Sequence, residues 1–285
     1  MLEIKDLTGL SEPLTKLVDV IANGCKWITE PYQIKRIADA NAYASSVQSK
    51  EDFKQGLRNS LLEYTQRSML SVRENRQIEN LANIINYAGQ ELQVIDNINN
   101  IPVSPEWSSR FFDYAQNIYE EEAQMIWAKI LAQETATPGK FFKRTLDILH
   151  NIEAFEAKWF AELCQFILDD TFVHIDTIKS KYFEFNKLQS MMDCGLLNAQ
   201  RTAISFDKSA DTIKFKSCCL KKNISQLQPV NIPMDGFLLT DAGYQLYNIT
   251  QVSSNLEFVK RIQEQLKNNY DLNWEIKEYT TQEHR

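Results

Sequence analysis

The stretch from Pro105 to Ile152, PEWSSRFFDYAQNIYEEEAQMIWAKILAQETATPGKFFKRTLDILHNI, constrains the fold more than any other part of the chain. Ser104, Pro105 and Glu106 supply a hydroxyl for the N-cap, a proline for the first helical position and a carboxylate for the first turn, three helix-start signals in a row. Trp107, Phe111 and Tyr114 or Ala115 follow on one side, with Arg110 and Asp113 at its margin. Asn117 is placed to cap a second helix, whose first turn holds Glu120, Glu121 and Glu122 and whose apolar face is Met125, Ile126, Ile130 and Leu131, with Trp127 beside it. Pro138 and Gly139 stop it. Phe141, Phe142, Leu146 and Leu149 mark a third helix, and Asn151 is placed to cap a fourth running through Phe155, Trp159, Phe160, Leu163, Phe166 and Ile167. Four amphipathic helices joined by short turns predict a helical bundle.

Upstream the pattern is also helical. Leu14, Leu17, Val18, Ile21, Cys25 and Ile28 recur at steps of three and four until Glu30-Pro31 breaks the run. The polar side of this segment carries mixed charge, which fits packing or self-association better than a lipid surface. A second segment covers Tyr32 to Ser49. A third runs from Lys50 to Ala88, with stripes at Phe53, Leu57, Leu61 and Tyr64 and at Ile78, Leu81, Ile84 and Ile85; Gly89 is placed to end it. Arg67, Arg73 and Arg76, offset by Glu74 and Glu79, read as a solvated face. Only 8 Gly and 7 Pro in 285 residues favour this reading of long helices, and the length allows two domains or one with appendages.

Past Asp170 the grammar changes. Residues 172–190 read as two short helices, NKLQSMMDCGLL as a third closing at Gly195, and ISFDKSADTIKFKS as two strands pairing Ile204 and Phe206 with Ile213 and Phe215. DGFLLTDAGYQLYNI then reads as a strand entering a helix capped at Thr240 or Asp241; a helix over 253–268 and a strand in LNWEIKEY end the chain. The expected architecture is mainly α: N-terminal helices over 1–100, a central bundle over 101–172, a winged-helix-like α+β module over 173–252, and a terminal helix and strand over 253–285.

Trp107, Arg110, Phe111, Phe112 and Asp113, then Glu121, Glu122, Gln124, Trp127 to Ala132 and Glu134, then Pro138, Gly139, Phe141, Arg144 to Asp147 and Leu149 form the ordered pattern W-x-x-R-F-F-D, E-E-x-Q-x-x-W-A-K-I-L-A-x-E, P-G-x-F-x-x-R-T-L-D-x-L. With TEPYQIKRIADANAYA, RENRQIENLANI and LLTDAGYQL, it resembles a bacterial family that carries a domain of unknown function, a resemblance spanning most of the chain. The resemblance implies an association with mobile elements and phage defence and carries over no catalytic residue. Lys140 and Phe142 stand where the family has small hydroxyl residues, which removes a hydroxyl nucleophile at that turn.

The residues that could carry chemistry read mainly as structure. Glu120, Glu121, Glu122 and Glu134 lack the Glu-x-x-His pairs of a bundle metal site, and an acidic first turn already suits the helix dipole. Arg110, Arg144, Asp113 and Asp147 fit half-buried ion pairs that fix helix order, with an anion pocket as the alternative. Trp107, Trp127, Glu134 and Phe141 complete this core pattern. His150, His174 and His284 share no ligand spacing and read as surface or capping residues. Glu275-x-Lys277 with Asp271 is a weak echo of nuclease triplets. Cys25, Cys164, Cys194 and the adjacent Cys218 and Cys219 read as structural thiols of a cytoplasmic protein. No cofactor or metal is implied.

A net charge of -7 opposes general affinity for nucleic acid, yet Arg201, Lys208, Lys214, Lys216, Lys221 and Lys222 form one local basic run, faced only by Asp207 and Asp211. The third helix of the module offers only Asn186, Lys187 and Gln189 for reading bases. The reading is therefore a non-enzymatic protein that forms homo-oligomers or docks a protein partner. A DNA-binding regulator using residues 201–222 is the alternative, followed by a nuclease and by a membrane-acting effector through residues 14–28.

Overall fold

The structure is a computed structural model describing residues 12–25, 72–95, 97–206, 212–222, 232–270 and 273–279. The helices expected over 32–71, the stripe at Phe53, Leu57, Leu61 and Tyr64, and Ile28, Arg67, Asp207, Lys208, Asp211, Asp271 and His284 lie outside them. The described residues are mainly helical, with two small antiparallel sheets. The chain divides into two units, residues 1–146 and 147–285.

The first unit is built on helices α1 (Glu12–Gly24), α2 (Val72–Leu92), α3 (Pro105–Ala115) and α4 (Glu121–Ala136). In α4, Gln124, Trp127, Ala128, Ile130, Leu131, Ala132, Glu134, Thr135 and Ala136 are all buried, so it is enclosed on nearly every side, as a central helix is. Met125, expected on its apolar face, is instead 46% exposed, because the neighbouring helices enclose the Trp127 side. Phe111 joins α3 to α4, its ring stacked at 5.1 Å on Trp107 and tilted at 5.3 Å against Trp127. α1 presents Leu14, Leu17, Val18, Ile21 and Cys25 to the interior as its spacing predicts. It lies so close to α3 that a Cβ on Gly24 would stand 2.3 Å from the Phe112 ring.

Two expected helix ends differ, and a third, the start of α3, falls where expected without its side-chain capping bond. Gly89 is buried inside α2, which continues to the fully buried Leu92 because the stripe of Leu81, Ile85 and Ala88 extends that far. Ser104 occupies the N-cap position of α3, but its hydroxyl makes no capping bond; its carbonyl accepts the first helical bond, from the Ser108 N–H, at 3.0 Å. Asn117 closes α3 rather than opening α4: its Nδ2 donates to the Asp113 carbonyl at 3.2 Å and its Oδ1 accepts from Gln77 at 3.0 Å. Beside it runs a buried polar seam in which Gln124 donates to Asn80 at 3.2 Å and to the Ile118 carbonyl at 2.8 Å, while Asn80 donates to the Gln116 carbonyl at 2.9 Å.

The boundary between the units falls inside helix α5 (Lys143–Asn151). Asn151 is its last residue, and the following α6 (Ala154–Leu163) is opened by Glu153, whose N–H donates to Glu156 at 2.9 Å. In the second unit, β1 (Ile167–Leu168) turns into β2 (Phe172–His174), so residues 172–174 form a strand rather than helix. Two short helices follow, α7 (Asp176–Lys179) and α8 (Phe185–Asp193), the latter closed as expected by Gly195 at φ 81°. The remaining elements are β3 (Thr202–Phe206), β4 (Thr212–Lys214), β5 (Cys218–Lys222), β6 (Ile232–Leu238), α9 (Asp241–Ile249), α10 (Leu256–Tyr270) and β7 (Trp274–Glu278).

One sheet has the order β1-β2-β6-β3 and the other β4-β5-β7. The expected hairpin of β3 with β4 does not form. Ile204 faces Met234 and Phe206 faces Ile232 across β3 and β6, whereas Ile213 faces Leu220 across β4 and β5. The reason is the tight Phe215–Ser217 turn, which returns the chain onto β5 and closes with a Phe215 N–H bond to the Cys218 carbonyl at 2.8 Å. Thr240 caps α9 as predicted, accepting from the Gly243 N–H at 3.1 Å. At Gly243 a Cβ would meet the Leu196 carbonyl oxygen at 2.1 Å, so Gly243→Ala must displace backbone. This substitution is expected to lower stability by about 2 kcal/mol or more, read as a reduced urea midpoint with unchanged slope.

Candidate functional site

Glu134 is the first polar group of the core pattern to be settled. It is 2% exposed at the end of α4, and its two oxygens accept the N–H groups of Gly139 at 2.7 Å and Phe141 at 2.8 Å. Gly139, at φ 87°, supplies the left-handed turn that aims these donors back at the helix. Burial raises the Glu134 pKa, opposed by the backbone donors and by the charge of Lys16 on α1. The carboxylate that the sequence places in the core pattern is thus an internal cap. Glu120, Glu121 and Glu122 do stay exposed, Glu121 accepting from Tyr87 at 2.6 Å and raising that phenol to about 12.

Trp107, Trp127 and Phe141 are buried, whereas Arg110, Asp113 and Arg144 are exposed and Asp147 is half-buried. The margin of a short helix beside an aromatic core can lie in solvent, so the expected burial of the three charges does not hold. Glu106, one turn before Arg110, bonds Lys143 at 2.6 Å.

In the second unit the basic run is broken up by the fold. Arg201, ahead of β3, is paired with Asp235 of β6. Lys216, at the β4–β5 turn, donates to the Tyr247 carbonyl at 2.7 Å and sits 4.1 Å over that residue's ring. Burial depresses its pKa. Lys214 and Lys221 are exposed and Lys222 is half-buried; Lys208 lies outside the described residues. Beside Lys214, Asp169 and Asp170 form a left-handed pair at φ 43° and 62° in the β1–β2 turn. Asp169 donates its N–H to the Lys214 carbonyl at 2.9 Å and accepts the Lys214 N–H at 2.7 Å, linking the two sheets.

Two polar side chains of α8, Lys187 and Ser190, are tied to α6, while Asn186 and Gln189 are exposed. Lys187 bonds Glu162 of α6 at 2.9 Å, Ser190 bonds Glu156 at 2.8 Å, and Gln189 bonds Asp193 at 3.0 Å. Cys218 and Cys219, adjacent on β5, point to opposite faces of the sheet and cannot form one ligand pair. All five cysteines are free thiols, and burial raises Cys164 to about 12. Among the described residues no group of His, Cys, Asp and Glu could hold a metal ion, and no helix is long and apolar enough to cross a membrane.

Sequence reasoning missed a groove of about 330 Å³ between β2, β6 and α10, lined by His174, Asp176, Met234, Asp235, Ile262 and Gln265. Asp176 there accepts from Gln265 and lies 3.5 Å from Arg261. His174, read as a surface or capping residue, is only 9% exposed, and its Nδ1 accepts the N–H of Asp176, the first residue of α7, at 3.2 Å. An isolated histidine at strand spacing offers no sequence signal for this.

Residues 64–174 match the family model described as a protein of unknown function, DUF2806. No curated protein and no solved structure matches the chain. The DUF2806 segment contains α2 to α6 and the β1–β2 hairpin, a shorter span than the resemblances from Thr29 to Leu246.

His174 gives a pH signature. Burial lowers its pKa below 6.5, Lys179 and Arg261 act in the same direction, and Asp176 and Asp235 oppose them. The folded state therefore binds this proton less readily than the unfolded chain, so the contribution is complete above 6.5 and is lost as the pH falls through the window below it. His174→Gln is expected to lose less thermal stability than the parent between pH 7.5 and pH 5. Parallel melting curves for the two would contradict this.

Proposed function

We propose that this chain is a non-enzymatic interaction protein whose second unit carries a winged-helix-like docking module. The sheet order β2-β6-β3, with α7 and α8 between β2 and β3, supports the winged-helix reading. β4 and β5 are then an insertion at the wing. The observation that carries the functional reading is the tie of Lys187 and Ser190 of α8 to α6, which leaves only the short amides Asn186 and Gln189 exposed for reading bases. A base-reading helix needs donors and acceptors directed at groove edges, while Lys187 and Ser190 are held by Glu162 and Glu156 and Gln189 bonds Asp193 along the surface of its own helix. Winged-helix modules also dock proteins, and this α8 suits that use.

Self-association is the second element of the proposal, through the helical first unit. Tyr119 at 59% and Met125 at 46% exposure sit at the entrance of α4, and both residue types are enriched at interfaces. The pattern from Trp107 to Leu149 further suggests a bacterial component of phage defence. Light scattering across a concentration series is expected to show mass rising above 33.1 kDa, and Tyr119→Lys with Met125→Lys to raise the dissociation constant about tenfold or more. A strict monomer at every concentration would remove the self-association element.

A further inference from the structure

The sheet β4-β5-β7 has one covered and one open face. On the covered side Ile213 and Leu220 are fully buried and α10 packs along β7, with Gln263 donating to the Trp274 carbonyl and the Phe258 ring edge-on to Phe215. Alternation along the strands sends the intervening residues the other way. The register sets Lys214, Cys219 and Lys277 in one cross-strand row and Thr212, Lys221 and Glu275 in the next. Lys214, Lys221, Lys277 and Glu275 are exposed. With strands about 4.8 Å apart, Lys214 and Lys277 stand about 10 Å from each other across β5.

We propose that this open lysine face binds the phosphodiester backbone of nucleic acid without reading its bases. Three ammonium groups stand there against Glu275 and, at the edge beside Lys214, the Asp169 carboxylate that accepts the Lys214 N–H, on a chain whose net charge is -7. A duplex carries one negative charge per about 1.7 Å of its axis, so a flat array about 10 Å wide meets several phosphates in any register. The two rows hold lysine point charges and contain neither a guanidinium fork for base edges nor an aromatic ring for stacking. The face differs from the basic run of the sequence: it gains Lys277, from β7 far along the chain, and excludes Lys216, which Tyr247 holds, and Arg201, which belongs to the other sheet. It uses no residue of α8 or of the α4 entrance, so it stands independently of the docking reading.

Fluorescence anisotropy with duplexes of unrelated sequence, measured between 50 mM and 200 mM salt, tests the proposal. Expected are equal affinities across sequences, a log–log salt slope of about -2.7 for three phosphate contacts, and a slope about 1 smaller for Lys277→Gln. Glu275→Gln is expected to bind more tightly than the parent, a gain that a misfolded variant could not produce. Absence of binding at 50 mM salt, an unchanged slope for Lys277→Gln, or competition by polyglutamate equal to that by DNA at matched charge would each overturn it, the last by assigning the face to acidic proteins.

Discussion

The carboxylate of Glu134 holds the end of the helix on which the first unit is built. A residue 2% exposed carries an ionisable group, and two backbone N–H groups, of Gly139 and Phe141, meet its oxygens. An unmet N–H at that depth costs about 1–3 kcal/mol, so the turn and the side chain depend on each other. Phe141 is carried into the core by the same turn, and Leu146 of α5 follows it. The nearby Asn99 N–H donates to the Ala136 carbonyl at 2.8 Å, and Lys16 of α1 donates to the Asn99 carbonyl, so the connector after α2 is fixed at the same place. Three separate parts of the first unit, the turn after α4, the connector after α2 and α1, therefore converge on the last turn of α4.

The second unit uses a comparable device. Asp169, in a backbone conformation that few side chains adopt, bonds both the N–H and the carbonyl of Lys214 and so joins the β1–β2 hairpin to the other sheet. Lys216 is folded back on Tyr247 close by. Charges that the sequence presents as one basic run are thereby divided between structural work and open surface. What remains open is the lysine face of the β4-β5-β7 sheet.

The sequence was most legible where several signals agreed. The first helix, the burial of Trp107, Trp127 and Phe141, the Thr240 cap, the Gly195 stop and the last strand all followed from spacing and local chemistry. Asn117 and Asn151 misled because an amide that caps the start of a helix can equally close its end, and tertiary partners such as Gln77 decide which. The strand pairing of Ile204 and Ile213 misled because alternation fixes which side chains share a face but not which strand lies alongside. The groove at His174 and the lysine face were illegible for a related reason: each is assembled from strands or helices far apart in sequence.

The account makes the stretch from Pro105 to Ile152 a scaffold whose Glu134 cap and helix α4 open together, and native-state hydrogen exchange tests this most directly. The amides of Gly139 and Phe141 are predicted to exchange with the same free energy as the interior amides of α4 from Trp127 to Ala136, and Glu134→Gln to lower both by the same amount. Exchange of Gly139 and Phe141 through a local opening that leaves α4 protected, unaffected by Glu134→Gln, would contradict it.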